Sequence, residues 1–407
     1  MNKMSSPETA IGDPFTATAD GARHAVYDAL AARGPVHRIR LPSGGEGWLV
    51  TGYEAARTLL VDPRIIKGGP GHAPFVAELP PDVAGAIDHH MLTLDPPDHT
   101  RLRRLVSAAF TRHRSERRAP RIQQLTDALL DRLAGRGEVD LITEFAYPLP
   151  ISVICELLGI PEADRAEFRG WTAPLVAGAM AGLEAYSAAA TALVGYVREL
   201  LERKRAEPAD DLLSALIAVR AEGDRLSADE LTSMVYLLLL AGHETTVNLI
   251  GNGVRALLTH PDQLALLRAR PDRIAAAVEE LLRFDGPLQS AIPAIVAAPV
   301  RIGEVDVPAG EVVVISLLAA NRDPGRTPAA DRLDLSREPA PHLAFGYGIH
   351  HCLGAPLARI EARIALGSLL TRFPDLQLAV PAAELVRFPG LLMNGLAALP
   401  VRPEGME

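Results

Sequence analysis

The chain has 407 residues, 48% hydrophobic and 22% charged, with a formal net charge of −9. That balance permits a large buried core and argues against nucleic acid and acidic membrane surfaces as partners. The two cysteines, Cys155 and Cys352, stand far apart and form no disulfide framework, which fits a reducing, cytoplasmic setting.

Residues 1–11 read as a disordered start with no apolar signal-peptide core. "VHRIRLPSGGEGWLVTG" (36–52) predicts a hairpin turning at Ser43 to Gly47. Residues 65–90, rich in Gly, Pro and Ala, predict one long loop, functional or disordered. Apolar residues at three- and four-residue spacing predict helices near 121–134, 191–206, 211–221, 228–259, 273–284 and 353–373. "ISVICELLGI" makes Cys155 a small buried hydrophobe. The 228–259 segment opens on a capping box, Ser227 with Glu230, and closes before Pro261. At ~1.5 Å per residue it would span ~48 Å, long enough to cross the middle of the protein. Its most apolar run, 234–242, falls short of the ~20 residues a membrane helix needs. "PVRIGEVDVPAGEVVVIS" (299–316) predicts a second β unit and 376–401 a third.

Four constellations could carry chemistry. In "DPPDHTRLRRL" (95–105), His99 and Arg103 share one helix face and suit an anion. The alternative is an ordinary solvated basic helix. "AGHETT" (241–246) sets a Glu and two Thr into a Leu-rich helix, where an unused carboxyl is costly. Val247 stands where a zinc protease helix needs its second His, so zinc is rejected. Gly242 weakens the helix by ~1 kcal/mol relative to Ala and predicts a local kink. In "EELLR" (279–283), Glu280 and Arg283 can pair along a helix, as such residues do on many exposed helices.

The fourth is "FGYGIHHCLG" (345–354), where Cys352 precedes a helix whose free N–H groups would stabilise a thiolate. The absence of a second nearby cysteine argues against zinc. His351, where a dinucleotide loop needs its third glycine, argues against that reading too. A nucleophilic thiol stays open on these residues alone, although the apolar flanks do not suit an acyl-transfer site.

This last stretch resembles the haem-binding signature F-G-x-G-x-H-x-C-x-G of bacterial cytochromes P450. The other three constellations resemble the family's remaining marks, in order, over nearly the whole chain. The finer likeness is to actinomycete enzymes that tailor macrolides and related natural products. The resemblance implies a mainly α fold: one domain over 1–407, a large helical part, and a small β-rich lobe from about 36–66, 299–316 and 376–401. Haem would lie between the long central helix and the Cys-loop helix.

Carried over by residue, the resemblance makes Cys352 the axial ligand of haem b iron. Phe345, Gly346, Gly348 and Gly354 would shape its loop, and His99, Arg103 and His350 would meet haem propionates. Ala241, Glu244 and Thr245 would line the distal face. Thr245 would hydrogen-bond dioxygen, and Glu244 with ordered water would supply protons. Glu280 and Arg283 would pair with Arg332 as a structural unit. His351 has no role in the resemblance.

Ala294 stands where such relatives usually carry a propionate-binding arginine, so one propionate would either lack its usual partner or take another cation in its place. Tyr236, Leu240, Ile292 and Leu392 are candidate substrate-pocket residues, with loops 65–94, 170–190 and 391–394 as its frame. The resemblance implies a monomeric, soluble monooxygenase that hydroxylates a bulky apolar small molecule. Its electrons would come from NAD(P)H through a ferredoxin reductase and a ferredoxin docked at Arg101, Arg104 and Arg112. Epoxidation or oxidative coupling on the same residues, and a haem-binding sensor without turnover, are the alternatives.

Overall fold

The computed structural model describes residues 12–42, 44–68, 74–109, 115–219 and 224–404. The expectation for residues 1–11 and for Arg112 lies outside them.

The Ala228–Thr259 helix is the axis of the body. Its start is fixed locally: Ser227 Oγ accepts from the Glu230 amide (3.2 Å) while Glu230 Oε2 accepts from the Ser227 amide (2.8 Å). Its 32 residues are mostly buried because helices pack around it on several sides. Pro81–Asp88, Pro148–Leu158, Leu183–Ala206, Ile274–Asp285 and Ala355–Arg372 all lie against it. Two apolar cores result. One joins its C-terminal half to the last long helices, and the other joins its N-terminal half to Leu183–Ala206 and Asp98–Ala109.

Gly242 does not interrupt this helix, which runs unbroken through it. The glycine answers a packing need instead. A Cβ there would stand 2.9 Å from Ile154 Cδ1 and 3.0 Å from Cγ1.

The β lobe is a five-stranded sheet in the order Val36–Arg40, Glu46–Val50, Val312–Ile315, Ala294–Val296, Ile65–Ile66. Its second and third strands are parallel and its other pairs antiparallel. Val300–Ile302 and Val305–Val307 form a separate hairpin.

Two expectations are corrected. The 65–90 stretch is not one loop, because Pro74–Ala77 and Pro81–Asp88 are helical within it. Strands Gln377–Leu378 and Pro400–Arg402 do not join the lobe's sheet. Pro400–Arg402 pairs with Val139–Asp140 on one side and with Gln377–Leu378 on the other, a three-stranded sheet against the helical body.

Candidate active site

The loop leading to Cys352 turns on two left-handed glycines, Gly346 at φ +71° and Gly348 at φ +72°. At Gly348 space also forbids a side chain: a Cβ would lie 2.6 Å from Val61 Cγ1 and 2.9 Å from the Leu60 carbonyl oxygen. The Gly346 amide donates to the Leu343 carbonyl (2.8 Å), and the Cys352 amide to the Phe345 carbonyl (2.9 Å). The chain therefore doubles back and presents Cys352 just before the Ala355–Arg372 helix, with Gly354 at its N-cap.

The Cys352 side chain is open on one side and closely surrounded elsewhere. Desolvation there raises its thiol pKa above the ordinary value. The Gly354 and Ala355 amides and the Arg103 and Arg359 guanidiniums oppose that rise without cancelling it. The donors expected at the helix start are present, but the helix start alone does not yield a thiolate. A metal cation facing the sulfur would invert the balance.

The Asp98–Ala109 helix brings His99 and Arg103 to this loop. The His99 and His350 rings lie 4.5 Å apart, edge to face. Arg103 Nη2 donates to the His351 carbonyl (2.8 Å). Burial, then His99 and Lys67, push the His350 imidazole down to about 4. Burial and Arg103 also lower His99. Both rings are therefore neutral at pH 7 and keep an N–H to donate. Nδ1 of His350 and the ring nitrogens of His99 are buried without a well-formed hydrogen bond, although the Ile349 backbone lies close enough to act on His99. Orphans of this kind are costly and call for acceptors. A flat macrocycle with two carboxylates, ligated through Cys352, supplies them, so these residues fit haem.

Glu280 and Arg283 are brought together as expected, both nearly fully buried. Arg283 Nε and Nη2 each donate to the Glu280 carboxylate at 2.7 Å. The expected third member is corrected. Arg332 contributes only its carbonyl, which accepts from Arg283 Nη2 (2.9 Å), and its side chain is exposed. The charged partner is Arg337, whose Nε lies 3.5 Å from Glu280 Oε1. Arg283 also donates to the Asn321 and Ala330 carbonyls, and Glu280 Oε1 accepts from the Asp334 amide. The pair thus gathers the chain that leads to Cys352.

On the central helix, Ala241 is exposed and Leu240, Gly242, Glu244 and Thr245 are half-buried, an accessible strip on an otherwise buried rod. Thr245 Oγ1 donates to the Ala241 carbonyl (3.0 Å). Glu244 Oε1 lies 3.4 Å from His243 Nε2, and His243 Nδ1 donates to the Leu239 carbonyl (2.6 Å).

Of the pocket candidates, Leu240, Ile292 and Leu392 are half-buried. Tyr236 sits instead in the helical core, with its hydroxyl bonded to Tyr186. Asn394 is no pocket wall: it is fully buried and holds Arg23, Asp285 and Arg387 together.

Arg101 is corrected as a docking cation, since it is committed to Asp224 and Glu230 at the start of the central helix. Arg104 lies on the same helix.

Sequence reasoning missed Glu279 and Arg359. Arg359 Nε and Nη2 donate to Glu279 at 2.7 and 2.8 Å. The Arg359 guanidinium also covers the Phe345 ring, 4.4 Å from its centroid. The only available signal was the doubled Glu of "EELLR".

Comparison with known proteins gives a consistent result. Residues 183–378 match the family model described as cytochrome P450. Cytochrome P450 107B1 of Saccharopolyspora erythraea is 51% identical over 94% of this chain and 95% of its own. The cytochrome P450 monooxygenase PikC of Streptomyces venezuelae is 48% identical over 97% of this chain and 93% of its own. The tirandamycin C-bound structure of the P450 monooxygenase TamI superposes with a TM-score of 0.87 at 44% identity, covering 94% of this chain and 97% of that one.

Proposed function

The chain belongs to the cytochrome P450 family, and from that premise we propose that it hydroxylates a bulky, largely apolar natural product of the macrolide or polyketide kind. The enzyme class, a haem monooxygenase that uses dioxygen and electrons from a redox partner, follows from the family. The substrate class is the proposed part. It is supported by the apolar residues around the accessible strip and by a structural neighbour solved with tirandamycin C.

Cys352 would hold the iron, and His99, Arg103 and His350 the propionates. Bound there, haem supplies the activation of dioxygen. The chain's own residues do the rest. The Phe345 carbonyl and the Arg359–Phe345 stack fix the Cys352 loop. Thr245 Oγ1, already donating to the Ala241 carbonyl, keeps its lone pairs free to accept a hydrogen bond from water. Glu244 reaches His243 from the same turn and can carry a proton between the buried imidazole and the accessible strip. The Leu240, Ile292 and Leu392 side chains would seat the substrate and exclude water.

The electron donor is proposed to be a small acidic ferredoxin reduced by an NAD(P)H-dependent reductase, with Arg104 on the Asp98–Ala109 helix as a docking cation. The enzyme is read as a cytoplasmic monomer. Among the described residues the one helix long and apolar enough to span a membrane is Ala228–Thr259, and it is mostly buried inside the body.

The observation carrying this reading is the Cys352 loop: an open thiol beside buried imidazole nitrogens without a well-formed hydrogen bond. The reduced carbon monoxide difference spectrum tests it, with a band at the thiolate-haem position expected and its absence overturning the assignment. Spin-state titration with a panel of macrolides, linear polyketides and small polar acids tests the substrate class. A response confined to the polar acids would refute it.

A further inference from the structure

Lys67 is a buried cation without an anion. Only 8% of its surface is exposed. Its Nζ donates to the Ile292 carbonyl at 2.7 Å, which uses one of three ammonium protons. Asp95 is the nearest acid, but its carboxylate is turned to the backbone, accepting from the Lys67 and Gly68 amides. Among the described residues no carboxylate forms an ion pair with Nζ. Burial lowers the Lys67 pKa to about 8, which leaves the ammonium mostly charged at pH 7. A buried charge held only by a neutral carbonyl is costly and calls for a counter-ion.

The sheet register shows where that counter-ion would come. Ile65 pairs with Val296 and Ile66 with Ile295. The bonded ladder ends there, and the next residues in the same register are Lys67 and Ala294, where a methyl group stands in place of the arginine usual in the resemblance. Residues directly opposed in an antiparallel pair share a face of the sheet. The lysine therefore extends past a small neighbour toward Ile292. Its charge is also felt at His350, whose ring meets His99. Nitrogen-bearing side chains from three separate segments face one corner, where the one acid felt, Asp95, is taken up by the Lys67 and Gly68 amides.

We propose that Lys67 is a haem-propionate ligand, delivering its ammonium from the strand facing Ala294 to the carboxylate shared with His99 and His350. This rests on the cytochrome P450 reading above.

The test is haem transfer from the holoenzyme to excess apomyoglobin, comparing wild type, Lys67→Met and Lys67→Arg. Lys67→Met is expected to release haem about tenfold faster, a typical loss for one buried charge-assisted contact. Lys67→Arg should stay near wild type. With haem dimethyl ester, which has no carboxylates, wild type and Lys67→Met should release at the same rate. The apoprotein of Lys67→Met should melt no lower than wild-type apoprotein.

Equal release of natural haem by wild type and Lys67→Met would overturn the proposal. So would an acceleration that persists with the dimethyl ester. Equal loss of stability in the apo and holo forms would reduce Lys67 to a prop for the Ile292 carbonyl. Failure of the family reading looks different: the wild type itself would give no thiolate-haem spectrum.

Discussion

Glu279 and Arg359 tie the helix of the buried Glu280–Arg283 pair to the helix that follows Cys352, through two parallel bonds of 2.7 and 2.8 Å. His342 Nε2 adds a third contact at 3.1 Å. Burial raises the Glu279 pKa, but Arg359 and His342 outweigh it and bring the carboxyl from 4.5 to about 2. The folded pKa is below the unfolded one. The stabilisation is therefore fully present above the unfolded pKa and is lost as pH falls from about 4.5 toward about 2. Glu279→Gln should cost on the order of 2–3 kcal/mol at pH 7. Urea unfolding of both proteins at stepped pH checks this: the gap should be constant above pH 5 and narrow below about 4.5. A gap that widens in acid would contradict the assignment.

The buried pair one residue on makes a sharper contrast. Glu280→Ala leaves the Arg283 guanidinium buried without its carboxylate, a loss of about 3–5 kcal/mol. Arg337→Ala removes a charge 3.5 Å from Glu280 while the Arg283 bonds persist, so about 1 kcal/mol is expected. Arg332→Ala removes an exposed side chain and keeps the carbonyl that Arg283 uses, so its effect should stay within about 0.5 kcal/mol. Thermal midpoints and the ratio of haem to protein absorbance after purification should rank wild type with Arg332→Ala, then Arg337→Ala, then Glu280→Ala. Equal damage from the two arginine variants would contradict the assignment of Arg337.

Arg101 was expected at a docking face and is found between Asp224 and Glu230. Arg101→Ala should therefore lower stability by about 0.5–1 kcal/mol, since the group is partly exposed and solvent screens it. The rate of first-electron reduction by a ferredoxin should change less than twofold, and its dependence on ionic strength should be preserved. Stopped-flow reduction beside urea unfolding separates the two roles. A large loss of reduction rate with unchanged stability would return Arg101 to the docking surface.

What the sequence made legible was local. The Ser227–Glu230 cap, the 32-residue helix and the Gly346–Cys352 loop are each written within a few residues, because capping, periodicity and left-handed turns are short-range effects. What stayed hidden were contacts between distant segments. Arg359 meets Glu279 across 80 positions, and Arg337 displaces Arg332 because a loop path decides which side chain turns inward. Pro400–Arg402 finds Val139–Asp140 on one side and Gln377–Leu378 on the other rather than the lobe, a choice of partner that strand composition cannot specify. The helices at Pro74–Ala77 and Pro81–Asp88 were missed because they are too short for periodicity to show.

Gly242 tests whether the central helix is shaped for chemistry or for packing. Alanine would favour the helix by ~1 kcal/mol through propensity. Its Cβ, however, would meet Ile154 at 2.9 and 3.0 Å, and Ile154 is 2% exposed with no room to retreat. Overpacking of this kind costs typically 1–3 kcal/mol, so Gly242→Ala should destabilise by about 1–2 kcal/mol net. Ile154→Val trims the side chain that the new methyl would strike, and on its own it costs about 0.5–1.5 kcal/mol. The double variant should be more stable than the two single effects predict by about 1 kcal/mol or more, since contacting residues couple. Urea unfolding of the four proteins in one cycle gives that number directly. Strict additivity would show that the glycine serves something other than its contact with Ile154, and the expected kink in the helix would again need consideration.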